Sequence, residues 1–198
     1  LAGAWEWSAF LDTTSRLLRV FFVIVIAALI TAVSMFWPES AALVLRIALV
    51  WWLAALVWTF FFPTRIPQVL RWFGGALVLV PFYAALRMLY EIDPRLLLFA
   101  LLIVWAADMG AYFVGKRFGR VKLAPRISPG KTWEGVFGGL VLAVMVTFAG
   151  RLVFEANLAV LLPFVVAVAG VSIVGDLTVS MFKRTSGLKD SGNVFPGH

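Results

Sequence analysis

Apolar positions in this chain come in long runs, and polar positions are confined to the short stretches between them. Six runs, 19–37, 41–62, 72–90, 95–114, 134–150 and 156–175, are apolar over a length that can cross a bilayer. A helix rising 1.5 Å per residue needs about 20 residues to cross the hydrocarbon core. Backbone groups in lipid must find partners inside their own segment, so the runs predict helices and not open strands. The expectation is an all-α polytopic membrane protein, with about six transmembrane helices in one bundle. No linker interrupts the pattern and no repeat stands out, so residues 1–198 are read as a single membrane domain. Residues 1–11 are apolar but too short to span, which leaves an interfacial piece or the tail of a helix begun earlier.

The polar stretches alternate in charge. One set carries Arg16 and Arg19, then Arg65 and Arg71, then Lys116, Arg117, Arg120, Lys122, Arg126 and Lys131, then Lys183, Arg184 and Lys189. The other set carries Glu39, then Glu91, Asp93 and Arg95, then Arg151 and Glu155. Basic loops stay on the cytoplasmic side, so the alternation supports both the span count and a cytoplasmic basic face. The chain is 63% hydrophobic, well above the half usual for a soluble domain, which makes lipid its solvent. A net charge of +7 fits that basic face and anionic headgroups better than nucleic acid, for which no interleaved basic and aromatic pattern exists. With no Cys and one His, disulfides and thiolate chemistry are excluded and zinc has no usual ligand set.

The richest polar stretch is GKRFGRVKLAPRISPGKTWEG, residues 115–135. Its plainest reading is a basic anchor on anionic lipid. Pro125, Pro129 and Gly130 predict a turn, Ser128 and Thr132 suit helix capping, and Glu134 lies near the helix start. Exposed amides there, beside Lys131, would suit a phosphate. The GKT inside it is not a P-loop, because GxxxxGK[ST] would put Gly where Pro125 stands and no buried strand precedes it. Asp108 lies within the fourth apolar run, where a carboxylate is costly and is either functional or paired, with Arg46 or Arg87 as structural partners. Asp176 closes the sixth run at the same expected face, and oxygen ligands beside a phosphate-ready loop suit Mg²⁺. If that helix continues, Asp176, Ser180, Lys183 and Arg184 share one face; the alternative for the last two is a snorkelling stop-transfer pair. Lys189 and Asp190 follow in a stretch dotted with Ser and Gly.

The residues from Ser180 to His198, S-x-F-K-R-x-x-x-x-K-D-S-G-x-x-x-P-G-H, closely resemble the signature of the phosphatidate cytidylyltransferases. ADMGAYFVGKRFG at 107–119 and ISPGKTWEG at 127–135 are similar to other stretches of that family in the same order, and AWEW at 4–7 is similar to bacterial members. The resemblance implies transfer of a cytidylyl group from CTP to phosphatidic acid at the cytoplasmic face of a bacterial inner membrane. It implies Mg²⁺, alone or with a second cation, held by Asp176 with Asp190 and Asp108. Lys131, Lys183, Arg184 and Lys189 would hold phosphates, Ser128, Thr132 and Ser180 would donate hydrogen bonds, and Glu134 and His198 would belong to the substrate site. It also suggests a homodimer, on which no residue pattern bears.

In the family the signature continues as Gly-Gly-x-x-Asp-Arg-x-Asp, so the chain is expected to be a piece cut at both ends and inactive without those acids. Two other functions compete: a CTP-dependent membrane lipid or polyprenol kinase, separated by its product, and a transporter, which would need polar residues in several spans. The acid-rich D-G-x-x-A-R signature of the CDP-alcohol phosphotransferases is absent.

Overall fold

The structure is a computed structural model, and it describes residues 1–11, 13, 15–154 and 157–187. Six long helices account for the six apolar runs: α2 (Arg16–Met35), α3 (Glu39–Phe61), α4 (Gln68–Ile92), α5 (Pro94–Phe118), α6 (Trp133–Phe154) and α7 (Leu158–Thr185). Each is long and apolar enough to cross a membrane. Ahead of them lies a short helix, α1 (Ala2–Trp7), and a 3₁₀ turn, Ser8–Leu11. Between α5 and α6 a two-stranded antiparallel hairpin forms from β1 (Lys122–Ala124) and β2 (Ser128–Thr132).

Local chemistry sets the helix starts. Ser15 accepts a hydrogen bond from the Leu18 amide before α2, Asp93 accepts from the Arg95 amide before α5, and Asn157 accepts from the Ala159 amide before α7. Each occupies one of the orphan donors of a first helical turn. Large apolar side chains such as Leu17, Phe21 and Ile24 on α2 and Leu43, Leu49 and Phe60 on α3 stand exposed. Water would penalise such a surface and lipid does not.

The chain divides into two compact units, one of Leu1–Glu91 with the chain from Val179, the other of Ile92–Thr178. In the first, Val33, Val80 and Ala84 form a core with Ile30, Trp37, Val44 and Leu45 packed on it. The opening segment is no loose interfacial piece: Ala4, Trp7, Phe10 and Leu11 are buried. Its anchor is Arg71, expected in a basic loop but found in the first turn of α4 and only 7% exposed. The Arg71 guanidinium donates to the carbonyls of Ile66 and Phe10, and the Trp7 indole donates to the Arg71 carbonyl. A basic residue at a helix end is thus turned inward because carbonyls are there to receive it.

In the second unit, Phe99, Ile103 and Ala107 of α5, Ala143 of α6, and Leu161, Val165 and Ala169 of α7 make one core. α5 and α6 meet through small residues. A Cβ on Gly110 would lie 2.5 Å from the Gly138 carbonyl oxygen, and one on Gly139 would lie 2.5 Å from the Ala107 carbonyl oxygen. Backbones this close give dense dispersion contact without any larger side chain between them, which is how helices associate in lipid.

Candidate active site

Within the second unit the site is built on the connection from α5 to α6. α5 ends where the Gly119 amide donates to the Gly115 carbonyl at 3.0 Å. β1 and β2 then pair with Lys122 opposite Thr132 and Ala124 opposite Ser128, and an irregularity in register lies between. Pro125 sits at the second position of the turn closed by the Ile127 amide on the Ala124 carbonyl at 3.1 Å, a position its fixed φ suits. The turn expected at Pro125 is therefore present, whereas Ser128 caps no helix. It belongs to β2 and is half-buried, because the chain pairs as a strand from there until the helix begins.

Thr132 makes the cap. Its Oγ1 accepts from the Gly135 amide at 3.2 Å, and the residue is buried against Gly115, Gly119 and Gly135, where a Cβ would crowd the hydroxyl. Its hydroxyl is thereby tied to the scaffold. Glu134 is likewise engaged. Its carboxylate accepts from the Arg120 amide at 3.1 Å and from the Val121 amide at 3.1 Å, fastening the exit of α5 to the start of α6. A carboxylate among amides of a helix start and a turn is in a favourable field.

This clamp leaves the charged side chains outward. Arg117, Arg120, Lys122 and Arg126 are exposed, and Lys116 is exposed beside the Tyr112 ring. Lys131, on β2, forms an ion pair with Asp176 on α7. The two side chains are 27% and 55% exposed. An ion pair that exposed adds below about 1 kcal/mol to stability, so a more highly charged ligand can open it at little cost. Asp176 follows Ala169 by seven residues, two helical turns, which continues the stripe of α7 that Leu161, Val165 and Ala169 bury against α5 and α6.

Asp108 lies in the C-terminal half of α5 and is exposed. Of the arginines weighed as its structural partners, Arg87 pairs instead with Glu91 at 2.8 Å and stacks over Trp37. α7 runs unbroken to Thr185, so the helical run needed by the spacing of Asp176, Ser180, Lys183 and Arg184 exists. The last three belong to the other unit, where Ser180 and Lys183 are half-buried and Arg184 is exposed. Lys189, Asp190 and His198 lie outside the described residues.

The residue patterns and this hairpin can be set beside known proteins. Residues 1–198 match the cytidylyltransferase family. The chain belongs to that family. It is 42% identical to the phosphatidate cytidylyltransferase of Pseudomonas aeruginosa over 99% of this chain and 75% of that protein. It is 36% identical to the phosphatidate cytidylyltransferase of Haemophilus influenzae over 100% of this chain and 79% of that protein. A phosphatidate cytidylyltransferase of Thermotoga maritima is 37% identical over 69% of this chain and 54% of that protein.

Three features of this structure go beyond the sequence reading. Glu134 reads as a substrate residue until its two amide partners are seen. The hairpin hides in a stretch dominated by Lys, Arg and Pro, which lacks the period-two pattern of a strand. The glycine face did leave a signal, since Gly135 and Gly139 stand four apart like the small residues of packed helices in membranes.

Proposed function

We propose that this protein transfers a cytidylyl group from CTP to phosphatidic acid, forming CDP-diacylglycerol and pyrophosphate in phospholipid biosynthesis. The observation that carries the reading is the Lys131–Asp176 pair at the basic hairpin, in a chain of the cytidylyltransferase family. In the reaction, a phosphate oxygen of the lipid attacks the α-phosphorus of CTP. The bond from that phosphorus to the oxygen bridging to the β-phosphorus breaks, and pyrophosphate leaves with that oxygen. No protein nucleophile is needed, and no proton has to be removed from an ionised phosphate.

The chain's own residues bind and neutralise. Lys131, joined by Lys183, Arg184 and Lys189, offsets the negative charge of the nucleotide's phosphates. Ser128 and Ser180 are the available hydroxyl donors, while Thr132 and Glu134 hold the hairpin in the shape that presents Lys131. A nucleotide phosphate competing for Lys131 would free the Asp176 carboxylate. Asp176 fits Mg²⁺ as one oxygen ligand of a set completed by phosphates, since no three acids cluster among the described residues. Asp108 and Asp190 are the further protein oxygens proposed for it. When bound, Mg²⁺ supplies charge neutralisation to the attacked and leaving phosphates.

The reading also places the basic face toward the cytoplasm of a bacterial inner membrane, on the strength of the loop alternation. A homodimer belongs to it through the family resemblance alone. The test is to incubate membranes carrying the full-length protein with labelled CTP, phosphatidic acid and Mg²⁺. Label should appear in CDP-diacylglycerol with pyrophosphate released, and Asp176→Asn should abolish it. Label appearing only as CDP, with a phosphorylated alcohol, would mean a kinase, and no labelled lipid at all would reject both.

A further inference from the structure

Two cations stand outside the loop pattern, Arg46 and Arg87, and Arg87 is paired with Glu91. Arg46 lies in α3, seven residues from Glu39, in a helix otherwise free of charge from Ser40 to Phe61. At 1.5 Å per residue that is about 10 Å inside the helix end. A cation at this depth is costly and rarely lacks a partner. Among the described residues Arg46 has no hydrogen bond or ion pair, and it is exposed. The Cα–Cβ bonds of a helix tilt toward its N-terminus, so a long side chain there can carry its head toward the Glu39 end.

Below Arg46 runs an apolar groove of about 420 Å³, lined by Arg46, Ile47, Val50, Trp51 and Ala54 of α3 and Leu77 of α4. The floor is deep because α4 places Gly74 under the Trp51 ring, where a Cβ would come within 3.2 Å of the indole. The Trp51 indole N–H is buried and has no hydrogen-bond partner. A buried donor left unpaired costs about 1–3 kcal/mol. The groove therefore combines a free cation with an apolar channel.

We propose that this groove binds one anionic glycerophospholipid in the leaflet on the Glu39 side. Its phosphate pairs with Arg46, and an acyl chain lies along Val50, Ala54 and Leu77. A cation followed by an apolar channel matches the order of anionic headgroup and hydrocarbon in such a lipid. A zwitterionic lipid shares the phosphate but carries a cation that competes with Arg46, which gives the site its charge preference. The site is made by α3 and α4, which carry none of the residues proposed for cytidylyl transfer, so it does not rest on that reading.

Native mass spectrometry of the detergent-solubilised full-length protein tests it, with dioleoyl phosphatidylglycerol or dioleoyl phosphatidylcholine added in parallel. The wild type should retain one phosphatidylglycerol in preference to phosphatidylcholine. Arg46→Gln should weaken retention about tenfold, the worth of one charge-assisted hydrogen bond. Ala54→Trp, which fills the channel and leaves the charge in place, should weaken it as well, and keeps the test decisive if Arg46→Gln expresses poorly. Both variants should keep the wild-type rate of cytidylyl transfer. Equal retention of the two lipids, or retention unchanged in both variants, overturns the proposal. So does inorganic phosphate displacing the lipid, which would mark a soluble-anion site. A dimer mass that breaks down in Arg46→Gln or Ala54→Trp with no lipid bound would overturn it too, by assigning the groove to a second copy of the chain.

Discussion

Two cations in this protein sit beside polar partners, and they could hardly be held more differently. Arg71, in the first unit, is buried and donates to the fixed carbonyls of Ile66 and Phe10, with the Ser186 hydroxyl 3.4 Å away. Lys131, in the second, is paired with the Asp176 carboxylate near the surface. Carbonyls on a folded backbone cannot leave, so Arg71 is a structural rivet joining the opening segment to α4. A partly exposed side-chain pair can separate when a better anion arrives, which is the property the proposed function asks of Lys131 and Asp176. The same charge is thus held fast where its acceptors are fixed and can be exchanged where they are free to move.

The largest effect should come from the mobile pair. Asp176→Asn in the full-length protein should lower the rate of CDP-diacylglycerol formation by about 10²–10³ or more, the cost of removing one preorganised electrostatic group. Its thermal unfolding in detergent should stay close to wild type, because an exposed pair holds little stability. Near-normal turnover would remove Asp176 from the site.

Arg71→Met should do the reverse. It orphans two carbonyls, at about 1–3 kcal/mol each, so thermal unfolding should shift down by several degrees while the surviving protein keeps most of its turnover per folded molecule. An unshifted transition would mean the rivet is dispensable. Gly110→Val sharpens the contrast from the scaffold's side, since the new side chain meets the Gly138 carbonyl oxygen. Overpacking of this kind costs about 1–3 kcal/mol, read as loss of folded protein in detergent, and Gly110→Ala should do less harm.

The smallest effect concerns a surface pair, Arg95 with Asp93. The Arg95 side chain, and then its backbone amide, hold the Asp93 carboxyl below its ordinary value of 3.8. A depressed carboxyl adds stability above its unfolded value and loses it as the pH falls through the folded one. Wild type should therefore show a shallow acid-side loss below about pH 4, and Asp93→Asn should show a smaller one, with Glu91 and Glu134 keeping their share.

The six helices were legible because lipid imposes one rule on every span: apolar side chains for a fixed length. Asp176 and Lys131 stood out in the sequence by their charge and position, and the structure pairs them. What stayed hidden depends on contacts between residues far apart in the chain. Arg71 looks like any loop arginine until the carbonyl of Phe10 is placed beside it. The capping role of Thr132 was legible, but the two amides that hold Glu134, those of Arg120 and Val121, were not. The hairpin was opaque because its strands are short, and Pro129 and Gly130 in the second are poor strand formers.

A double-mutant cycle on cytidylyl transfer tests the central claim, that Lys131 and Asp176 work as one unit. Rates are measured for the wild type, Lys131→Met, Asp176→Asn and the double variant in the full-length protein, with CTP and phosphatidic acid at fixed concentrations. If the pair is one device, the first substitution does most of the damage and the double variant is little worse than the poorer single one, as with other residues that act together. If the two losses simply multiply, the residues act independently and their pairing at the hairpin is incidental.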